Sequence, residues 1–136
     1  MFTLFGTAIS WKSVQQPVVA LSTTEAEFMA LTEAIKEALW LQGIIHEFDI
    51  TQAEIKVFCD SQSAIHLVKH QMYHERTKHI DVKFHFIRDI VEKEIVKVCK
   101  ISTLENPADA MTKSVPTAKF ELCCALIKKC NGGVQV

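Results

Sequence analysis

The chain has 136 residues, of which 49% are apolar, and its 15 Lys and Arg against 16 Asp and Glu give a formal net charge of −1. This length suits one domain with a core; it excludes a multidomain enzyme, and the composition argues against a disordered tail. No run of about 18 apolar residues exists, so no membrane-spanning segment is predicted. The five cysteines form no Cys-x-x-Cys pair, which disfavours zinc and disulfides and predicts an intracellular, cytoplasmic or nuclear protein.

Charge is unevenly distributed along the chain. Residues 1–68 hold three Lys against eight acids, a net of −5, whereas residues 69–100 hold eight Lys and Arg against five acids, a net of +3. An acidic first half followed by a basic middle suits a metal site beside a phosphate-binding face. Chance segregation on a solvated surface is the alternative interpretation.

The hydrophobic pattern predicts the element order β-β-α-β-α-α-β-α-α, an α/β fold in one domain over residues 1–136. A capping box of Ser22 and Glu25 marks the start of the longest helix. The predicted elements are a hairpin within 2–14 with its turn at Gly6-Thr7, a helix within 22–48, a strand at 54–59, helices through Val68 and Val91, a strand at 94–102, a helix from Asn106-Pro107 and a helix over 117–130. The last six of these complete the αβ core over 54–130.

Three carboxylates stand at the ends of these elements. Glu27 shares the core-facing side of the long helix with Leu31 and Ile35, where an acid is costly to bury unless it is paired or binds a metal. Asp60 follows a strand and Asp109 lies in the first turn of a helix, and each alone is an ordinary helix cap or dipole partner. Together the three acids predict a site for a hard cation such as Mg²⁺.

Four segments carry a more specific signal. They are Leu21–Leu31 (LSTTEAEFMAL), Cys59–Ala64 (CDSQSA), Arg76–Asp81 (RTKHID) with His85–Arg88 (HFIR), and Asn106–Lys113 (NPADAMTK). In this order and spacing they closely resemble the ribonuclease H domain at the C-terminus of the polyprotein of copia-type LTR retrotransposons, over nearly the whole chain. The resemblance implies a ribonuclease H-like mixed sheet with flanking helices, and hydrolysis of the RNA strand of an RNA–DNA hybrid with Mg²⁺ or Mn²⁺ as cofactor.

The resemblance also implies roles for particular residues. Three of the family's four catalytic and metal-binding carboxylates match Glu27, Asp60 and Asp109. The side chains expected near the nucleic acid are Ser61, Gln62, Arg76 and Lys78, although a solvated helix face is the alternative for the two basic ones. The implied partners are the RNA–DNA hybrid and the reverse transcriptase portion of a parent polyprotein, with no membrane.

The family's fourth carboxylate, an aspartate on its first strand, has no counterpart, since the first Asp of this chain is Asp49. Met1–Phe5 resembles the family's second strand. The first strand, central in the family's 3-2-1-4-5 order, is therefore expected to be absent and the domain N-terminally truncated. Two rows of backbone N–H and C=O groups would then lack partners, so we expect the hairpin to slide to the strand at 54–59, another chain to donate a strand, or the product to fold poorly.

The missing aspartate predicts weakened metal binding and a chain without nuclease activity. Two other functions stay open on sequence grounds. One is an active nuclease completed by an upstream or partner strand, and the other is a non-enzymatic remnant that binds nucleic acid through the basic middle.

Overall fold

The structure, a computed structural model, describes residues 1–50, 54–69, 78–129 and 133–135. Its elements are β1 (Phe2–Leu4), β2 (Thr7–Ser10), α1 (Thr23–Glu47), β3 (Ile55–Cys59), α2 (Gln62–Lys69), α3 (Lys78–Glu92), β4 (Val96–Lys100), α4 (Asp109–Thr112), α5 (Thr117–Lys129) and β5 (Gly133–Gln135). The predicted α/β order is confirmed for the first nine elements. The strands are shorter than predicted, and β5 was not predicted.

A tight hairpin opens the chain. β1 pairs with β2 antiparallel, with Leu4 opposite Thr7, so the turn consists of Phe5 and Gly6 rather than the predicted Gly6-Thr7. Both turn residues have positive φ, 50° and 78°. A two-residue turn of this kind follows the right-handed twist of the two strands, and glycine adopts it at no steric cost.

The five strands of the described residues form one mixed sheet in the order β2-β1-β5-β3-β4. β5 pairs antiparallel with β1, where Phe2 lies opposite Val134. It pairs parallel with β3, where Val57 lies opposite Val134 and Phe58 opposite Gln135. β3 and β4 are parallel along all five of their residues.

The expected loss of the family's central strand does not leave β1 and β3 without a shared neighbour. The central position is filled from the far end of the sequence, by β5, and neither a sliding hairpin nor a strand from another chain is needed. The physical reason is that the facing edges of β1 and β3 carry backbone N–H and C=O groups, which are costly to leave unpaired in a folded interior. Gly133–Gln135 supplies partners for both edges.

The core forms where α1, α2 and α3 meet β3 and β4. Along α1, Phe28, Leu31 and Ile35 are buried at helical spacing, as the apolar stripe predicts. Along β3, Val57 is fully buried whereas Lys56 is exposed, the alternation of a strand with one face in the core. In the part of the chain that the structure describes, no helix has the length and apolar character needed to span a membrane.

Candidate metal centre

Helix capping sets where Glu27 lies. Ser22 is the N-cap of α1, and its hydroxyl oxygen accepts a hydrogen bond from the Glu25 N–H at 3.1 Å. The Glu25 carboxylate accepts from the Leu21 N–H at 2.8 Å, one residue earlier than the predicted capping box requires. With its start fixed in this way, α1 places Glu27 half-buried, one turn before the fully buried Leu31.

The end of β3 sets where Asp60 lies. The next residue, Ser61, caps α2: its hydroxyl accepts from the Ala64 N–H at 3.2 Å and its carbonyl from the Ile65 N–H at 3.1 Å. The sequence allowed Asp60 to be an ordinary cap of this helix. Because Ser61 makes the cap instead, that structural explanation of Asp60 does not hold.

Glu27, Cys59 and Asp60 form a compact cluster. One ligand atom from each, a carboxylate oxygen or the Cys59 Sγ, lies within 4.8 Å of the other two. Both carboxylates are half-buried and the thiol is fully buried. The structure thus brings together two of the three acids that the sequence singled out, and it adds a cysteine that the sequence did not.

The electrostatics of the cluster follow from burial and like charge. Burial raises the pKa of Glu27, and the negative charges of Asp60 and Asp109 raise it further, although Lys113 opposes them. Burial also raises the pKa of the Cys59 thiol, and the two neighbouring acids add to that shift. The cysteine therefore stays neutral at physiological pH, which leaves carboxylate oxygens as the ionised donors.

Asp109 is not part of this cluster and is held by two lysines. It opens α4, after a turn in which the Asn106 side chain accepts from the Ala108 N–H at 3.2 Å; the helix predicted from Asn106 thus starts three residues later. Its carboxylate is buried and accepts from Lys113 at 2.9 Å and Lys119 at 2.6 Å. Burial alone would raise the pKa of Asp109, but the hydrogen bonds and charges of the two lysines outweigh it and lower this pKa.

Of the residues expected near nucleic acid, Ser61 and Gln62 lie at the N-terminus of α2, next to the cluster. Lys78 is the first residue of α3, and Arg76 lies outside the described residues. Sequence reasoning missed Lys100, whose ammonium donates to the backbone carbonyl of Asp60. Its proximity follows from the parallel register that sets Lys100 beside Cys59, which no local pattern reveals.

The donor set of the cluster fits a hard divalent cation. Carboxylate oxygens are the ligands that Mg²⁺ and Mn²⁺ prefer, whereas a neutral thiol suits neither ion. Glu27 and Asp60 converge, and their mutual repulsion contributes to the raised pKa of Glu27. A cation between the two carboxylates would remove that repulsion.

We expect the substitution Glu27→Gln to stabilise the cation-free protein. Since folding raises the pKa of Glu27, the ionised carboxylate disfavours the folded state at neutral pH, and an isosteric neutral side chain removes that cost. In the presence of EDTA at pH 7, the melting temperature should rise by a few degrees. As the pH falls through the raised pKa, the wild type takes up the proton too, and the difference should shrink.

Glu33→Gln is the matched control on the same helix, since Glu33 is exposed and pairs with the exposed Lys36. Its melting temperature should stay close to that of the wild type. A Glu27→Gln variant that melts below the wild type at pH 7 would show that the carboxylate is stabilising rather than strained.

The class of protein follows from sequence relatives: the chain is homologous to a segment of retrotransposon Pol polyproteins. It is 58% identical over 93% of its length to the "Retrovirus-related Pol polyprotein from transposon TNT 1-94" of Nicotiana tabacum. Identity is 33% over 83% of the chain to the corresponding polyprotein from transposon RE1 of Arabidopsis thaliana, and 32% over 90% to the Transposon Ty1-JR2 Gag-Pol polyprotein of Saccharomyces cerevisiae.

The matched segments make up 10%, 8% and 7% of these three relatives, so the chain spans a tenth or less of their length. No family model matches the chain, and no solved structure matches it. The homology supports a retrotransposon-derived domain.

Proposed function

We propose that this chain is the ribonuclease H-like part of a copia-type Pol polyprotein, and that Glu27, Asp60 and Asp109 hold Mg²⁺ or Mn²⁺ there. The observation that carries the proposal is the convergence of Glu27 and Asp60, which belong to different elements and are far apart in sequence. The family's reaction is hydrolysis of RNA in an RNA–DNA hybrid. The homology to Pol polyproteins agrees with this origin.

The chemistry divides between the cation and the chain. A bound Mg²⁺ would supply Lewis acidity and lower the pKa of water. Glu27 and Asp60 would hold the cation by their oxygens, and the N-terminus of α2, at Ser61 and Gln62, would present backbone N–H groups to a phosphate. The ammonium groups of Lys100 and Lys113 lie near these acids and would contact the phosphates of the bound nucleic acid.

We propose further that this chain alone does not cleave the hybrid. The resemblance calls for a fourth carboxylate on the central strand, and the strand in that position, Gly133–Gln135, bears none. Asp109 is also paired with two lysines. Cation binding by two converging carboxylates is expected to be weak, and a second cation would lack ligands.

The decisive experiment is a cleavage assay on an RNA–DNA hybrid labelled in the RNA strand, with Mg²⁺ or Mn²⁺. We expect no cleavage above background from the wild type or from Asp60→Asn. Mn²⁺ titration by calorimetry should show weak binding to the wild type and at least a tenfold loss in Asp60→Asn, since half of the carboxylate pair is removed. Cleavage by the wild type that Asp60→Asn abolishes would instead establish an active nuclease.

A further inference from the structure

Asp109 has both of its carboxylate oxygens occupied by ammonium groups. Oδ1 accepts from Lys113 at 2.9 Å and Oδ2 from Lys119 at 2.6 Å. The carboxylate itself is only 5% exposed. A buried carboxylate held at both oxygens has little freedom to offer either one to another cation.

The two lysines differ in how easily they can leave. The Lys113 side chain is 54% exposed and lies at the end of the four-residue helix α4. The Lys119 side chain is 19% exposed and belongs to α5. The exposed Lys113 ammonium can therefore exchange its carboxylate partner for water at a small cost in free energy. The less exposed Lys119 ammonium would be poorly hydrated if it left Asp109, so it stays bound to the carboxylate.

Lys113 also serves the other two acids of the candidate centre. Its ammonium is stabilised by the charges of Asp60 and Glu27 in addition to its hydrogen bond with Asp109. The positive charge of Lys113 in turn lowers the pKa of Glu27, as the charge of a bound cation would. One side chain thus supplies positive charge to all three carboxylates that the proposed centre would offer to Mg²⁺.

We propose that Lys113 is a positioning residue that competes with the divalent cation for Asp109, so that this carboxylate joins the centre only when Lys113 leaves it. The inference rests on the proposed function, because it takes Glu27, Asp60 and Asp109 as the cation ligands. Lys119 holds the second oxygen of Asp109 and keeps the carboxylate oriented during the exchange. The released Lys113 ammonium stays tethered within reach of the anionic substrate.

The test is Mn²⁺ titration by calorimetry of the full chain, comparing the wild type with Lys113→Gln. We expect the variant to bind Mn²⁺ more tightly by about fivefold, the equivalent of an exposed ion pair of about 1 kcal/mol. Lys36→Gln is the matched control, since Lys36 is an exposed lysine in an ion pair with Glu33 on α1. Its Mn²⁺ affinity should equal that of the wild type.

A second measurement needs no variant. Amine labelling of the wild type, read by mass spectrometry, should modify Lys113 faster when Mg²⁺ is added, while Lys36 reacts at an unchanged rate. A Lys113 rate that is unchanged or reduced by Mg²⁺ overturns the inference, whether or not the variant folds.

The outcomes separate the two proposals. Mn²⁺ binding that Asp60→Asn removes and Lys113→Gln leaves unchanged or weakens overturns the inference and leaves the proposed centre standing. Binding by Lys113→Gln where the wild type binds none supports the inference in its strongest form. Absence of Mn²⁺ binding in both proteins overturns the proposed centre and the inference together.

Discussion

Replacing Val134 by proline is expected to lower the free energy of unfolding by roughly 3 kcal/mol or more. Val134 lies opposite Phe2 in β1 and opposite Val57 in β3, so its backbone is at the centre of the sheet. Proline has no N–H to donate and is not tolerated inside a central strand. Because typical domains are stable by only about 5–15 kcal/mol, this one change is a large fraction of the total.

Urea denaturation measures the effect. Besides a lower midpoint, the slope of the transition should fall, because a hairpin already detached from β5 exposes less additional surface on unfolding. Val134→Thr is the control, since threonine keeps both the N–H and the β-branched shape. Equal stability of the proline and threonine variants would mean that β5 does not pair in the middle of the sheet.

The substitution Phe28→Ala is expected to cost roughly 3–5 kcal/mol of stability. Phe28 is 1% exposed, and its ring stacks on that of Phe84 with 5.7 Å between centroids. This contact joins α1 to α3, and Phe28 directly follows Glu27 along α1. Truncation therefore removes a large buried side chain, leaves a cavity and loosens the helix that carries the candidate ligand.

The matched control is Phe86→Ala on α3, because Phe86 is 38% exposed. It should change the unfolding free energy by about 0.5 kcal/mol or less. Thermal and urea unfolding of the two alanine variants give the comparison directly. Similar losses in both would contradict the assignment of Phe28 to the core.

The part of the site that could be predicted from sequence is the part built by local rules. The capping signal at Ser22 fixes the start of α1, and the helical period then places Glu27 on the side of Leu31. The strand pattern before Asp60 likewise identifies it as the residue that leaves a buried strand. Both acids stand close to a strong local pattern, which is why their positions could be anticipated.

The rest depends on contacts between distant segments. The ion pair of Lys113 with Asp109 spans four residues, so a helical pattern could have indicated it. The ion pair of Lys119 with Asp109 joins two different helices, and no local pattern indicates it. Gly133–Gln135 is three residues long and has no strand pattern of its own. It becomes a strand because β1 and β3 present edges that need partners, a demand that arises only in the assembled sheet.

The position of β5 has a consequence for how the protein folds. β3, α2, α3 and β4 follow one another closely in sequence, and β1 and β2 form a local hairpin, so both units can form from nearby contacts. Joining them requires residues 2 and 3 to meet residues 133 and 134, nearly the full length of the chain apart. Pairing between such distant segments is slow, because the chain loses the entropy of closing a long loop before the stabilising contacts form. Before β5 is synthesised, the edge of β1 has not yet gained this partner, and in that interval it can pair with other strands.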